Sequence, residues 1–184
     1  SANDEWLIYR LNPPGGGRDI YGIRPGRDTV PTPLLTGRFD EQGAALSPDG
    51  KWLAYSSNES GQYEIFVRPF PNTDSGRWQI STRGGDAARW SRSGRELFFE
   101  GNNGEFMAVA IAPGSTFSPG EPRRLFSHGG VLLGSNIVPY YDLTPGDSGF
   151  MMVRLAAVNA SPGAGQVVVV DNWFTELRAK MGAK

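Results

Sequence analysis

The chain has 184 residues and a mass of 20.0 kDa, the size of one large domain or two small ones. Its 25 glycines and 14 prolines nearly exclude long helices and favour short strands joined by tight turns. A net charge of −1 supplies no field for nucleic acid or an anionic membrane, and no cysteine with a single histidine excludes disulfides, thiolate chemistry and Cys- or His-rich metal sites.

The N-terminal Ser1-Ala2-Asn3-Asp4 has no Met, no basic stretch and no apolar stretch, so a processed chain or an excised piece of a longer protein is expected. The first strands read as Trp6–Tyr9, Asp19–Ile23 and Pro33–Leu35, beginning after the place of an innermost strand. Between them, Pro13-Pro14-Gly15-Gly16-Gly17 reads as a hairpin connection. It lacks the lysine and Ser/Thr of a phosphate loop and does not open a helix. Next come Gly43–Leu46, the turn Ser47-Pro48-Asp49-Gly50, Trp52–Ser56, the turn Asn58–Gly61, Tyr63–Phe70, a loop at 71–76 and Trp78–Ile80. The same order returns as Ala87–Trp90, Glu96–Phe99, Phe106–Ile111 and Arg124–Phe126, and again as Tyr140–Leu143, Phe150–Arg154 and Gln166–Val170. Asn172 can cap a short final helix with Trp173, Phe174, Leu177 and Met181 near one face. No apolar run approaches the roughly 18 residues of a membrane span; the pure apolar runs, such as Val167–Val170, are short.

This order is a repeat. Ser47-Pro48-Asp49-Gly50-Lys51-Trp52-Leu53-Ala54-Tyr55 has counterparts starting at Ser1, Ser91 and Thr144, at intervals of 46, 44 and 53 residues. Such a period fits four-stranded propeller blades with one insertion. Several strands are apolar on successive residues, which implies burial on both faces, as in stacked antiparallel sheets. We therefore expect an all-β fold: a partial β-propeller of about four four-stranded antiparallel blades with a short C-terminal helix. The blades fall at about 1–38, 39–83, 84–129 and 130–171, and the helix at 172–184. Trp52, Leu53, Tyr55, Leu97, Phe98 and Phe99 should be buried between blades. Open ends near Trp6, Ile8, Phe150 and Met152 should expose apolar surface, so the chain either self-associates, as in a homodimer, or is a piece whose ends the parent protein covers.

The stretch Ser47–Gly61 followed by Glu64-Ile65-Phe66-Val67-Arg68-Pro69-Phe70 resembles the TolB-like (WD-repeat-like) propeller repeat of bacterial proteins, and Trp90–Phe99 resembles its next copy. The ending Val168–Leu177 is similar to the C-terminus of propellers attached to bacterial eukaryote-like serine/threonine kinases. The resemblance departs from its pattern at Arg92-Ser93 and at Gly146-Asp147. It implies a non-catalytic module for protein interaction or ligand sensing, in an extracytoplasmic or periplasmic setting. It also implies a place in the C-terminal part of a larger protein such as a receptor-like kinase. A gating propeller of a prolyl-oligopeptidase-type hydrolase and a solitary periplasmic TolB-like protein are the alternatives. No kinase motif and no Gly-x-Ser-x-Gly elbow occurs in the chain.

No catalytic, cofactor-binding or metal-binding residues are assigned, the partner is expected to be a protein or peptide, and its binding residues stay unassigned. Gly146-Asp147-Ser148-Gly149 resembles a trypsin-like nucleophile segment, yet it falls in register with the repeat turn, and the lone histidine, His128, lies in a loop. Asp4, Asp49 and Asp147 read as turn carboxylates bonding nearby amides. Arg77, Arg83, Arg89, Arg92 and Arg95, interleaved with Trp78 and Trp90, read as solvated arginines around core tryptophans. Asn58-Glu59-Ser60 and Asn159-Ala160-Ser161 are formal glycosylation sequons read as turn residues.

Overall fold

A computed structural model describes residues 5–14, 16–127 and 141–153. All the regular structure among them is β, apart from three single 3₁₀ turns. The first sheet is β1 (Leu7–Leu11), β2 (Asp19–Ile23) and β3 (Thr32–Leu35). The second is β4 (Glu41–Leu46), β5 (Trp52–Ser57), β6 (Glu64–Pro69) and β7 (Trp78–Gln79). The third is β8 (Asp86–Trp90), β9 (Glu96–Glu100), β10 (Glu105–Ala110) and β11 (Arg123–Ser127). The hairpin β12 (Tyr141–Leu143) and β13 (Phe150–Met152) belongs to a fourth. Every pairing is antiparallel between neighbours in sequence, the meander of a propeller blade. The strand ends differ from the sequence reading by a residue or two. Tyr140, Arg154, the strand Gln166–Val170, the helix 172–184, His128 and the sequon at Asn159 lie outside the described residues.

In the second and third repeats the serine closes the turn, while the first copy, Ser1–Asp4, lies outside the described residues. Ser47 Oγ accepts the Trp52 N–H at 2.9 Å and donates to Asp49 Oδ1 at 2.7 Å. Asp49 Oδ1 also accepts the Lys51 N–H. One repeat on, Ser91 Oγ accepts the Glu96 N–H at 3.0 Å, and Ser93 Oγ accepts the Arg95 N–H at 3.3 Å. Ser93 thus does the work of Asp49, so the departure at Arg92-Ser93 leaves the turn closed. Gly50 and Gly94 both take φ near +70°, where a side chain is disfavoured.

Successive residues of β5 face different neighbours. Leu53 and Tyr55 join Phe66, Ile20, Leu34 and Leu35 in the core between the first two sheets. Ala54 joins Ile65, Val67, Ala88, Trp90, Leu97 and Phe99 in the core between the second and third. Phe98, Phe106 and Ala108 face Tyr141 and Phe150. This two-sided burial is why these strands read as continuous apolar runs. Of the six expected core residues, five are buried and Trp52 is half-buried. Trp52 sits at the rim of its core, edge-on to Trp78 at 5.6 Å and against Phe117 at 5.1 Å. Phe117 is buried because its loop folds back through an Ile111–Pro119 bridge, a contact with no periodic signal. The expected exposure at Phe150 is also corrected. Its ring packs at 4.9 Å from Phe98 and 4.6 Å from Phe106; Met152, Trp6 and Ile8 are half-buried, and the exposed large apolar residues at this end are Met151 and Val153.

Candidate binding faces of the blades

The first strands of the second and third sheets carry small residues at matching places. Gly43-Ala44-Ala45 in β4 and Ala87-Ala88 in β8 each include a β-bulge, between Gln42 and Ala45 and between Asp86 and Arg89. Gly43 has φ +63° and Ala87 φ +58°, so both repeats use a left-handed residue to kink this strand. Beside the bulges runs a polar chain across three sheets. Arg18 Nη1 donates to Gln42 Oε1 at 2.6 Å, and Gln42 Nε2 donates to Asp86 Oδ2 at 3.0 Å. Ser56 Oγ and the Ala87 N–H donate to Asp86 Oδ1, both at 2.7 Å. Gln42 is fully buried, and this network joins the sheets at their bulged edge.

Two other buried carboxylates lie at the same end of the strands. Glu64 is satisfied, accepting from Gln62 Nε2, the Gly84 N–H and Ser81 Oγ. Glu41 is 7% exposed and accepts only a 3.3 Å bond from Ser57 Oγ, leaving Oε2 without a partner. Burial pushes its carboxyl up to about 7, against the pull of Ser57, and repulsion from Asp19, Glu59 and Asp40 adds to the rise.

Glu41 lines a groove of about 470 Å³ between the first two sheets. Leu34, Leu35 and Phe39 form part of its wall, and Tyr55, Glu59 and Arg68 supply polar atoms. Arg68 Nε donates to the Tyr55 hydroxyl at 2.9 Å, and Arg68 Nη1 to the Thr73 carbonyl at 3.0 Å. Burial raises Tyr55 to about 12, so it stays a neutral phenol. Glu59 Oε2 pairs with Arg77 at 2.6 Å, while its Oε1 has no partner. A smaller cavity of about 180 Å³ is lined by residues that include Ile8, Arg10, Ile20, Gly43, Ala44 and Arg89.

The residues singled out in the sequence are dispersed. Ser148 is exposed in a 3₁₀-type turn, its Oγ within 3.1 Å of the Thr144 hydroxyl and 3.3 Å of the Pro145 carbonyl. Neither neighbour is a base. Asp147 does more than shape its own turn: its Oδ2 accepts the Arg92 N–H at 2.7 Å, tying the fourth repeat turn to the third. The five arginines form no single stripe. Arg77 pairs with Glu59 and lies over the Phe66 ring, Arg92 pairs with Asp147, Arg83 and Arg95 are exposed, and Arg89 lines the small cavity. Asn58 Oδ1 accepts the Asp40 N–H at 2.9 Å, a structural use of the sequon residue. Among the described residues no cluster of metal-binding side chains occurs, and no helix is long and apolar enough to cross a membrane.

Solved structures share this arrangement. TolB from Acinetobacter baumannii superposes with a TM-score of 0.61 at 18% identity, over 82% of this chain and 36% of that one. The chain has a TolB-like β-propeller fold. A TolB-type protein of Agrobacterium tumefaciens gives 0.56 at 21% identity, over 68% of this chain and 47% of that one. An oligogalacturonate lyase in complex with manganese gives 0.57 at 16% identity, over 82% of this chain and 42% of that one. No protein-family model and no curated relative matches. The chain therefore spans between about a third and a half of the propellers it resembles. In a propeller the first strand of each blade lies innermost, which puts β4 and β8 on the channel side.

Proposed function

We propose that this TolB-like propeller is a non-catalytic module that binds a protein or peptide partner and serves as part of a longer bacterial protein, such as a receptor-like kinase, outside the cytoplasm. The observation that carries this reading is the groove between the first two sheets. Its volume falls in the range of ligand sites, and it sets an apolar wall beside a few convergent polar groups. Stacked blades hold those groups on rigid strands, so a ligand meets a preformed surface. A homodimer through the open sheet edges belongs to the same reading.

The test is a peptide panel titrated onto the purified chain by calorimetry. Thr36 is exposed and lines the groove, so Thr36→Trp should block it without disturbing the core. Binders lost in this variant, with unchanged melting temperature, would support the proposal. A peptidase or lyase turnover abolished by Ser148→Ala would sink it.

A further inference from the structure

We infer that the small cavity on the channel side is a carboxylate site, built by Arg10 of the first sheet and Arg89 of the third. The two arginines line one cavity of about 180 Å³, although β1 and β8 belong to different sheets. Arg10 Nη1 is buried and has no hydrogen-bond partner. Arg89 makes one bond, from Nη1 to the carbonyl of its own neighbour Ala88 at 3.1 Å. Neither arginine has an ion pair among the described residues. The acidic residue of β8, Asp86, has both oxygens engaged by Ser56, Gln42 and the Ala87 N–H. Both arginines are half-buried, and a buried guanidinium N–H without an acceptor is costly, so the arrangement favours an anion that supplies one.

The cavity also limits what that anion is. Arginine presents a planar fork of donors that matches the two oxygens of a carboxylate. The volume is below the range of roughly 300–1,000 Å³ for drug-sized ligands, so it takes one acidic group and not a nucleotide or a sugar chain. Ile8, Ile20 and Ala44 offer an apolar wall to a short methylene stem. The chemistry is that of an aspartate or glutamate side chain of a peptide. This site is separate from the groove between the first two sheets, and its test does not involve Thr36.

The experiment is an NMR titration of the full chain with Ac-Gly-Glu-Gly-NH2, Ac-Gly-Gln-Gly-NH2 and inorganic phosphate, following the Nε–Hε signals of Arg10 and Arg89. The glutamate peptide should shift both signals saturably, and more weakly when salt is raised from about 20 to about 200 mM. The glutamine peptide should shift neither. Arg10→Met and Arg89→Met should each weaken binding about tenfold or more. The free Arg10→Met protein should melt at or above the wild-type temperature, because an unpaired buried donor is removed. Equal binding of the two peptides would overturn the inference. So would a lower melting temperature of Arg10→Met with unchanged affinity, which would mark Arg10 as structural. Shifts produced by phosphate alone would overturn the assignment to a carboxylate.

Discussion

Glu41 shows how one buried side chain makes stability depend on pH. Its carboxyl in the folded chain titrates near 7, against an ordinary value of 4.5, so the folded state holds its proton more tightly than the unfolded state. Between those values folding takes up a proton, and stability must fall as pH rises. The loss begins near pH 4.5 and is complete above about 7. Glu41→Gln removes this dependence. In urea titrations it should match the wild type near pH 4 and exceed it at pH 8, by on the order of 1–3 kcal/mol. An equal difference at both pH values would mean that Glu41 titrates alike in the folded and unfolded chains. Gly43 offers a second test at this scale. A Cβ there would meet only ordinary contacts, the nearest at 3.6 Å from Ser56 Oγ, so the cost lies in its φ of +63°. Gly43→Ala should lose about 1–2 kcal/mol. A loss of several kcal/mol more would mean that the bulge has less room than it shows.

The repeated turn and the strand after it form the working element. Ser47 and Ser91 each reach five residues forward to cap the start of the second strand. Ser47→Ala would leave the Trp52 N–H and Asp49 with one partner fewer at a buried serine in a partly exposed turn. A loss of about 1–2 kcal/mol is expected in chemical denaturation. The strands that follow carry the core. Leu53 and Leu97 are fully buried, in different interblade cores, so Leu53→Ala and Leu97→Ala should each cost about 2–5 kcal/mol. Because the two cores are separate clusters, the double variant should lose close to the sum of the single losses. A sub-additive double variant would show that the two cores are not energetically separate.

For the whole molecule, the consequence lies at the ends of the stack. Leu7 and Leu11 on β1 are 55% and 44% exposed, and Met151 and Val153 beside β13 are 49% and 42% exposed. Among the described residues β1 pairs only with β2. Light scattering of the isolated chain should therefore give a mass that rises with concentration over tens of micromolar, and Leu7→Lys should suppress the rise. A constant monomer mass would refute self-association.

The all-β class, the propeller repeat and most strand positions among the described residues were legible in the sequence alone. They rest on local chemistry: a serine, a glycine and an apolar run at constant spacing specify a turn and the strand it feeds. The two-sided apolar runs also announced stacked sheets. What the spacing did not carry is which residues meet across the stack. Arg10 falls just past the first strand as read, Trp6–Tyr9, and Arg89 reads as part of a solvated cluster until sheet packing puts both on one cavity. Phe117 looks like a loop residue until its loop returns to the core, and Asp147 looks like a turn residue until Arg92 comes within 2.7 Å. The raised carboxyl of Glu41 depends on burial between two sheets and on Asp19 from the neighbouring one. Local periodicity decides the elements because each turn closes with its own residues. The sites lie between elements, where contacts join residues far apart in the chain, and only the packed fold sets them.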